Sequence, residues 1–108
     1  MKKNKKLTKL YLLVISLPKG KKEIIGDILA GYDVTAYVST LAKGTYDTEF
    51  SKEVMFCVIK EDKIKDAMFM IEDKFASFKS KISMVYAIPL DSIVGVSSYM
   101  ALANGGNA

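Results

Sequence analysis

The chain has 108 residues, half of them apolar, so it suits one domain with a real core and is too short for two. It contains no His and no Trp, one Cys, and sixteen Lys with no Arg. These absences exclude the usual zinc sites within one subunit, Ser-His and Cys-His nucleophile pairs, and any bidentate guanidinium grip on carboxylate or phosphate.

The net charge of +4 is unevenly placed. Lys2, Lys3, Lys5, Lys6 and Lys9 fall in the first nine residues, and the remainder carries eleven Lys against twelve acids. Residues 1–9 therefore read as a basic, solvated tail on a near-neutral body. No basic helix face or Lys–aromatic interleaving points to nucleic acid. The apolar run Leu10–Leu17 follows that tail as in a signal peptide. It is only eight residues long, leads into Pro18-Lys19-Gly20, and has no small-x-small cleavage site close by. It reads as a buried first strand.

Pro18-Lys19-Gly20 is turn chemistry. A helix is expected over 21–30, with Ile24, Ile25, Ile28 and Leu29 on one face and Gly31 closing it in the left-handed conformation. Val34, Thr35, Tyr37, Val38 and Thr40 predict a second strand over 34–42. The polar stretch 43–53 reads as a loop. A third strand, 54–59, holds Cys57 inside Val54-Met55-Phe56-Cys57-Val58-Ile59, where a buried, inert thiol is expected. A lone Cys offers no intrachain disulfide, which suits the cytoplasm.

Glu61 and Asp62 open a second helix against its positive end, and Lys74 is placed near its negative end. Ile64, Met68, Ile71 and Phe75 form its apolar stripe. A fourth strand covers 82–88 and is expected to stop at Pro89. Residues 92–102 add an edge strand or short helix, and 104–108 should fray. The order β-α-β-β-α-β predicts an α+β, ferredoxin-like domain over 10–103: a four-stranded, mainly antiparallel sheet with two helices on one face. The strands lack the alternation of a sheet with one wet face. Both faces are apolar, two helices cover one, and the other calls for a second copy of the chain. No acid–base pair stands out, so the chain reads as a binding protein rather than an enzyme.

The ordered motifs resemble the PII-like nitrogen-regulatory signalling family. They are the strand Tyr11-Leu12-Leu13-Val14-Ile15, the turn Ala30-Gly31-Tyr32-Asp33 and the small-basic-Gly-Thr segment Ala42-Lys43-Gly44-Thr45. The acid-led strand Lys52-Glu53-Val54-Met55-Phe56-Cys57-Val58 follows, then Met84-Val85-Tyr86-Ala87-Ile88-Pro89-Leu90 and the exit Ile93-Val94-Gly95-Val96. The resemblance spans about residues 10–99. It implies a homotrimeric signal-transduction protein with sheets facing inward, and a small anionic ligand, an adenine nucleotide, in clefts between subunits. It also implies that a loop after the second strand docks on a transporter, enzyme or transcription regulator. By position, Lys43, Gly44 and Thr45 open that loop, and Lys79, Ser80, Lys81 and Ser83 lie near the phosphates. Tyr46 falls in the loop as a residue open to modification. The competing reading is a structural or adaptor oligomer of the same fold without a nucleotide site; an oligomeric metal-tolerance protein would have only carboxylate sites for hard cations.

Overall fold

The computed structural model describes residues 9–90. The basic segment before Lys9, the element expected over 92–102, the Ile93–Val96 motif and the 104–108 end lie outside the described residues. In chain order the elements are β1 (Leu10–Pro18), α1 (Lys22–Ala30), β2 (Val38–Ala42), β3 (Lys52–Lys60), α2 (Glu61–Phe78) and β4 (Met84–Pro89). They build one antiparallel sheet in the order β2-β3-β1-β4. This is the ferredoxin-like arrangement that the element order implies.

Side chains alternate across a strand, so register decides what each face buries. Leu13 pairs with Cys57 and Ala87, and Ile15 with Met55 and Val85. These odd-numbered positions lie beneath the helices. Leu13, Ile15, Leu17, Met55, Cys57, Ile59 and Val85 join Ile25 and Leu29 of α1 and Ala67 and Ile71 of α2 in a single buried cluster. The stripe expected on α2 is present, with Ile64, Met68 and Phe75 packed against that cluster. On α1 the stripe is narrower than expected, because Ile24 is exposed. The N–H of Glu61, first in α2, donates to Lys9 O at 3.0 Å, so the helix start is tied to the start of the central strand.

Even-numbered positions make the other face. Leu12 pairs with Val58 and Ile88, and Val14 with Phe56 and Tyr86. Among the described residues nothing covers this face: Phe56, Met84, Tyr86, Ile88 and Val38 are all exposed, Val38 to 60%. The burial pattern has period two while the sequence does not, and the discrepancy is confined to this one face.

Several local expectations are corrected. Gly31 keeps right-handed helical geometry (φ −67°), and Asp33 takes the left-handed turn (φ 66°). The chain continues through i→i+3 bonds at Gly31, Tyr32 and Asp33 before Val34 N–H closes on Leu29 O at 3.0 Å, so the reversal falls two residues later. β2 begins at Val38 rather than 34: Val34 is buried under α1, and Tyr37 lays its hydroxyl 2.8 Å from where a Cβ on Gly26 would stand. Lys52 and Glu53 belong to β3, which leaves a loop of 43–51. The α2 helix runs on to Phe78, four residues past Lys74, and has no basic residue in its last turn, so Lys74 is not the terminal charge expected. β4 starts at Met84, because Lys79 (φ 51°) ends α2 in the left-handed conformation and Ser80 Oγ accepts the Ile82 N–H at 3.2 Å. Pro89 is the last residue of β4 and pairs with Tyr11, a position open to proline because β4 is an edge strand.

Met55 and Phe56 are sequence neighbours on opposite faces. Met55→Ala should cost about 2–5 kcal/mol through the cavity left beneath the helices. Urea denaturation of the purified variant measures it, and a loss under half a kcal/mol contradicts the assigned face.

Candidate functional site

Three connections gather at one end of the sheet: the β1–α1 turn, the β2–β3 loop and the α2–β4 loop. The pairings Pro18–Lys52 and Lys52–Ala42, with Ser16 opposite Met84, place them together. This end carries Lys19, Lys21, Lys22, Lys43, Lys52, Lys79 and Lys81. Sequence spacing scatters these seven lysines, and the topology collects them. Lys ammonium groups act on an anion as point charges, and clustering raises the local potential.

Glu53 is the anchor of this end. It is buried beside Leu17 and Leu41, which flank it in register. Its Oε1 accepts the Gly20 N–H at 3.2 Å, and Oε2 lies 3.9 Å from the Lys22 ammonium. A buried carboxylate requires such partners, and here they hold the turn between β1 and α1. Gly20 (φ 91°) supplies the left-handed step that turn needs. In the sequence Glu53 stands near Asp47 and Glu49 with no partner at a telling spacing. Its place at the head of an apolar strand is its signal there, and its partner turn lies 33 positions away.

The residues expected to bind ligand fall in two groups. Lys43, Gly44 and Thr45 open the β2–β3 loop as expected. Lys43 and Thr45 are exposed, and the Lys43 ammonium sits 5.6 Å from the centre of the Phe50 ring. The Gly44 N–H is already engaged, donating to Asp47 Oδ2 at 2.6 Å, and Lys52 bonds the same oxygen. The Lys52 hydrogen bond, reinforced by the Gly44 amide, holds the Asp47 carboxyl below its ordinary range. Lys79 and Lys81 are exposed in the α2–β4 loop and form no ion pair among the described residues. The Ser83 hydroxyl beside them is buried without a hydrogen-bond partner. No glycine opens the backbone of this second loop, whose turn is made by Lys79 and Ser80 instead.

The two groups share one end of the sheet but occupy opposite edges. β2 and β4 are separated by β3 and β1, a lateral distance of about 14 Å from three interstrand spacings. Lys43–Thr45 and Lys79–Ser83 of one chain therefore leave the sheet at its two opposite edges.

Cys57 takes no part. It is buried on the helix side, and burial pushes its thiol up to about 12. Among the described residues no cluster of Cys, Asp and Glu is arranged to hold a metal, and no helix is long and apolar enough to cross a membrane. A small pocket of about 80 Å³ at the opposite end, between Tyr32, Val34 and Lys60, is remote from these lysines.

No protein-family model matches the chain, and no curated protein matches it in sequence. Solved structures do. A nitrogen regulatory PII-like protein, CPII, from Thiomonas intermedia K12, bound to ADP, AMP and bicarbonate, superposes with a TM-score of 0.61 at 19% identity, over 79% of this chain and 96% of that one. PII from Arabidopsis thaliana, bound to citrate, gives a TM-score of 0.65 at 14% identity, over 85% of this chain and 84% of that one. The fold is that of PII-like nitrogen regulatory proteins, and it agrees with the resemblance drawn from the ordered sequence motifs.

A raised thiol pKa disfavours ionisation in the folded state only. As pH rises from about 9 towards 12, the unfolded chain loses the Cys57 proton while the folded chain keeps it, and stability falls. Stability measured from pH 8 to 11 should drop more steeply in the parent than in Cys57→Ala. Parallel curves would mean that the thiol is not protected by burial.

Proposed function

We propose that the chain is a divergent PII-like signal-transduction protein: a homotrimer that binds a small anionic ligand at inter-subunit clefts and passes occupancy to a protein partner through the 43–51 loop. The observation that carries this reading is the placement of the two lysine-bearing loops. They lie at one end of the sheet, on opposite edges, beside a bare apolar face. A neighbouring copy packed on that face supplies what one chain lacks, Lys79, Lys81 and Ser83 of one subunit approaching Lys43–Thr45 of the next.

Adenine nucleotide is the ligand class most consistent with the charge and with the neighbours, one of which is bound to ADP and AMP. Lysines surround phosphate without a guanidinium fork, Thr45 offers a hydroxyl, and the unpartnered Ser83 hydroxyl offers another. The 43–51 loop projects an almost fully exposed Tyr46, suited to contact with a transporter, enzyme or transcription regulator. The cytoplasm is the compartment this reading assigns. A structural or adaptor oligomer with the same assembly but no nucleotide site is the second reading, favoured by the glycine-free α2–β4 loop.

Light scattering after gel filtration should give three times the chain mass. Phe56→Asp should yield a smaller, soluble species, since an unpaired charge on the covered face is costly. A parent that runs as a monomer at micromolar concentration overturns the assembly.

Calorimetry with ATP, ADP and AMP separates the two functional readings. Lys43→Ala should weaken binding by about tenfold, the scale of one charge-assisted contact. Lys60→Ala, at the far end of β3, should leave it unchanged, and added salt should weaken it in every variant. No heat with any nucleotide at millimolar concentration would favour the adaptor.

A further inference from the structure

The base of the β2–β3 loop is fastened by one of the chain's own carboxylates. Gly44 N–H donates to Asp47 Oδ2 at 2.6 Å, Asp47 N–H donates to Gly44 O at 3.2 Å, and the Lys52 ammonium closes on the same Oδ2. Gly44 has just left β2 and Lys52 is the first residue of β3, so this single oxygen bridges the two ends of the loop. There is little room for anything else: a Cβ on Gly44 would stand 3.3 Å from Oδ2 and 3.5 Å from the Lys52 nitrogen. A backbone N–H and an ammonium converging on one negatively charged oxygen is the arrangement by which proteins hold phosphoryl and carboxylate groups.

We infer that Asp47 is a resident competitor: it occupies the seat that an oxygen of the anionic ligand takes on the Gly44 N–H and the Lys52 ammonium, so that ligand binds there by displacing Asp47 and unfastening the loop. This deepens the ligand-sensing reading and rests on it. Both anions need the same donors, so they cannot be held together. Ligand occupancy and the closed loop are then mutually exclusive, and each opposes the other by the same free energy. The loop changes shape because its own clasp is taken, with no separate hinge. The Lys52 and Gly44 hydrogen bonds lower the Asp47 pKa, which accords with this, since they favour its charged form.

The test uses the full chain labelled with nitrogen-15, with the Gly44 amide as the reporter and ADP, inorganic phosphate and citrate as separate titrants. In Asp47→Asn the Gly44 resonance should move saturably with phosphate or ADP, at an affinity about tenfold tighter than in the parent, the scale of a lost charge-assisted contact. Glu49→Gln removes the same charge from the same loop without touching Gly44 or Lys52, and should change affinity by less than about threefold, as for an exposed, screened charge. A response to phosphate and ADP but not to citrate identifies a phosphoryl seat; a response to citrate as well identifies a general anion seat. If ADP binds the parent and Asp47→Asn equally by calorimetry, or leaves Gly44 unmoved, the inference is overturned while the nucleotide reading stands. If no nucleotide gives heat but phosphate or citrate moves Gly44 in Asp47→Asn, the nucleotide reading falls and the seat stands. An equal gain in Glu49→Gln overturns the inference, because loop charge alone would then account for it.

Discussion

A four-stranded sheet whose faces are both apolar, served by two helices among the described residues, governs this structure. The helices bury Leu13, Ile15, Leu17, Met55, Cys57 and Ile59 completely or nearly so, and they have no surface left for the other face. Hydrophobic burial scales with area removed from water. The exposed face holding Val38, Phe56, Met84, Tyr86 and Ile88 is therefore a reserve of unused stabilisation in the described fold. The same sheet sets the position of every lysine discussed above, because its strand order brings three connections to one end and keeps two of them on opposite edges.

The fold was legible because the elements occur in an informative order with clear punctuation. The period of α2 from Ile64 to Phe75 and the turn at Pro18-Lys19-Gly20 locate themselves in the sequence. Register was not legible. Along Val54–Ile59 every position is apolar, and nothing in the sequence separates Met55, beneath the helices, from Phe56, on the open face. The helix and strand ends that were misplaced share a cause. Asp33 and Lys79 adopt left-handed conformations that glycine would have advertised, and an edge position admits Pro89. Such allowances are made by tertiary context, not by local propensity.

The candidate site was legible only in part. Lys43, Gly44 and Thr45 were recognisable from their motif, and Lys79, Lys81 and Ser83 from their place before the last strand. The pairing of Asp47 with Gly44 and Lys52 was not, since an Asp three residues beyond a Gly is common in any turn. Nor was the role of Glu53, whose partners belong to a turn distant in sequence. Both carboxylates owe their importance to what the sheet brings beside them. One secures the β1–α1 turn and one secures the loop base, so the lysine-rich end is held together by acids that a count of charges would treat as ordinary surface.

The strand order has a further consequence for how the chain reaches this state. β1 is made first, yet it lies at the centre of the sheet, with Leu13 opposite Cys57 on one side and Ala87 on the other. The β3 partner is complete only at residue 60 and the β4 partner only at residue 89. A long, almost wholly apolar strand therefore waits without its ladder, and the closures it needs are distant, which slows folding and lengthens exposure to aggregation. Lys9 at its start, tied to Glu61 in the finished fold, and Lys19 just past its end bracket it with charge. Flanking charges of this kind act as gatekeepers against premature self-association. The strand most needed at the centre of the native sheet is thus the one most hazardous to the nascent chain, and it is charged at both ends.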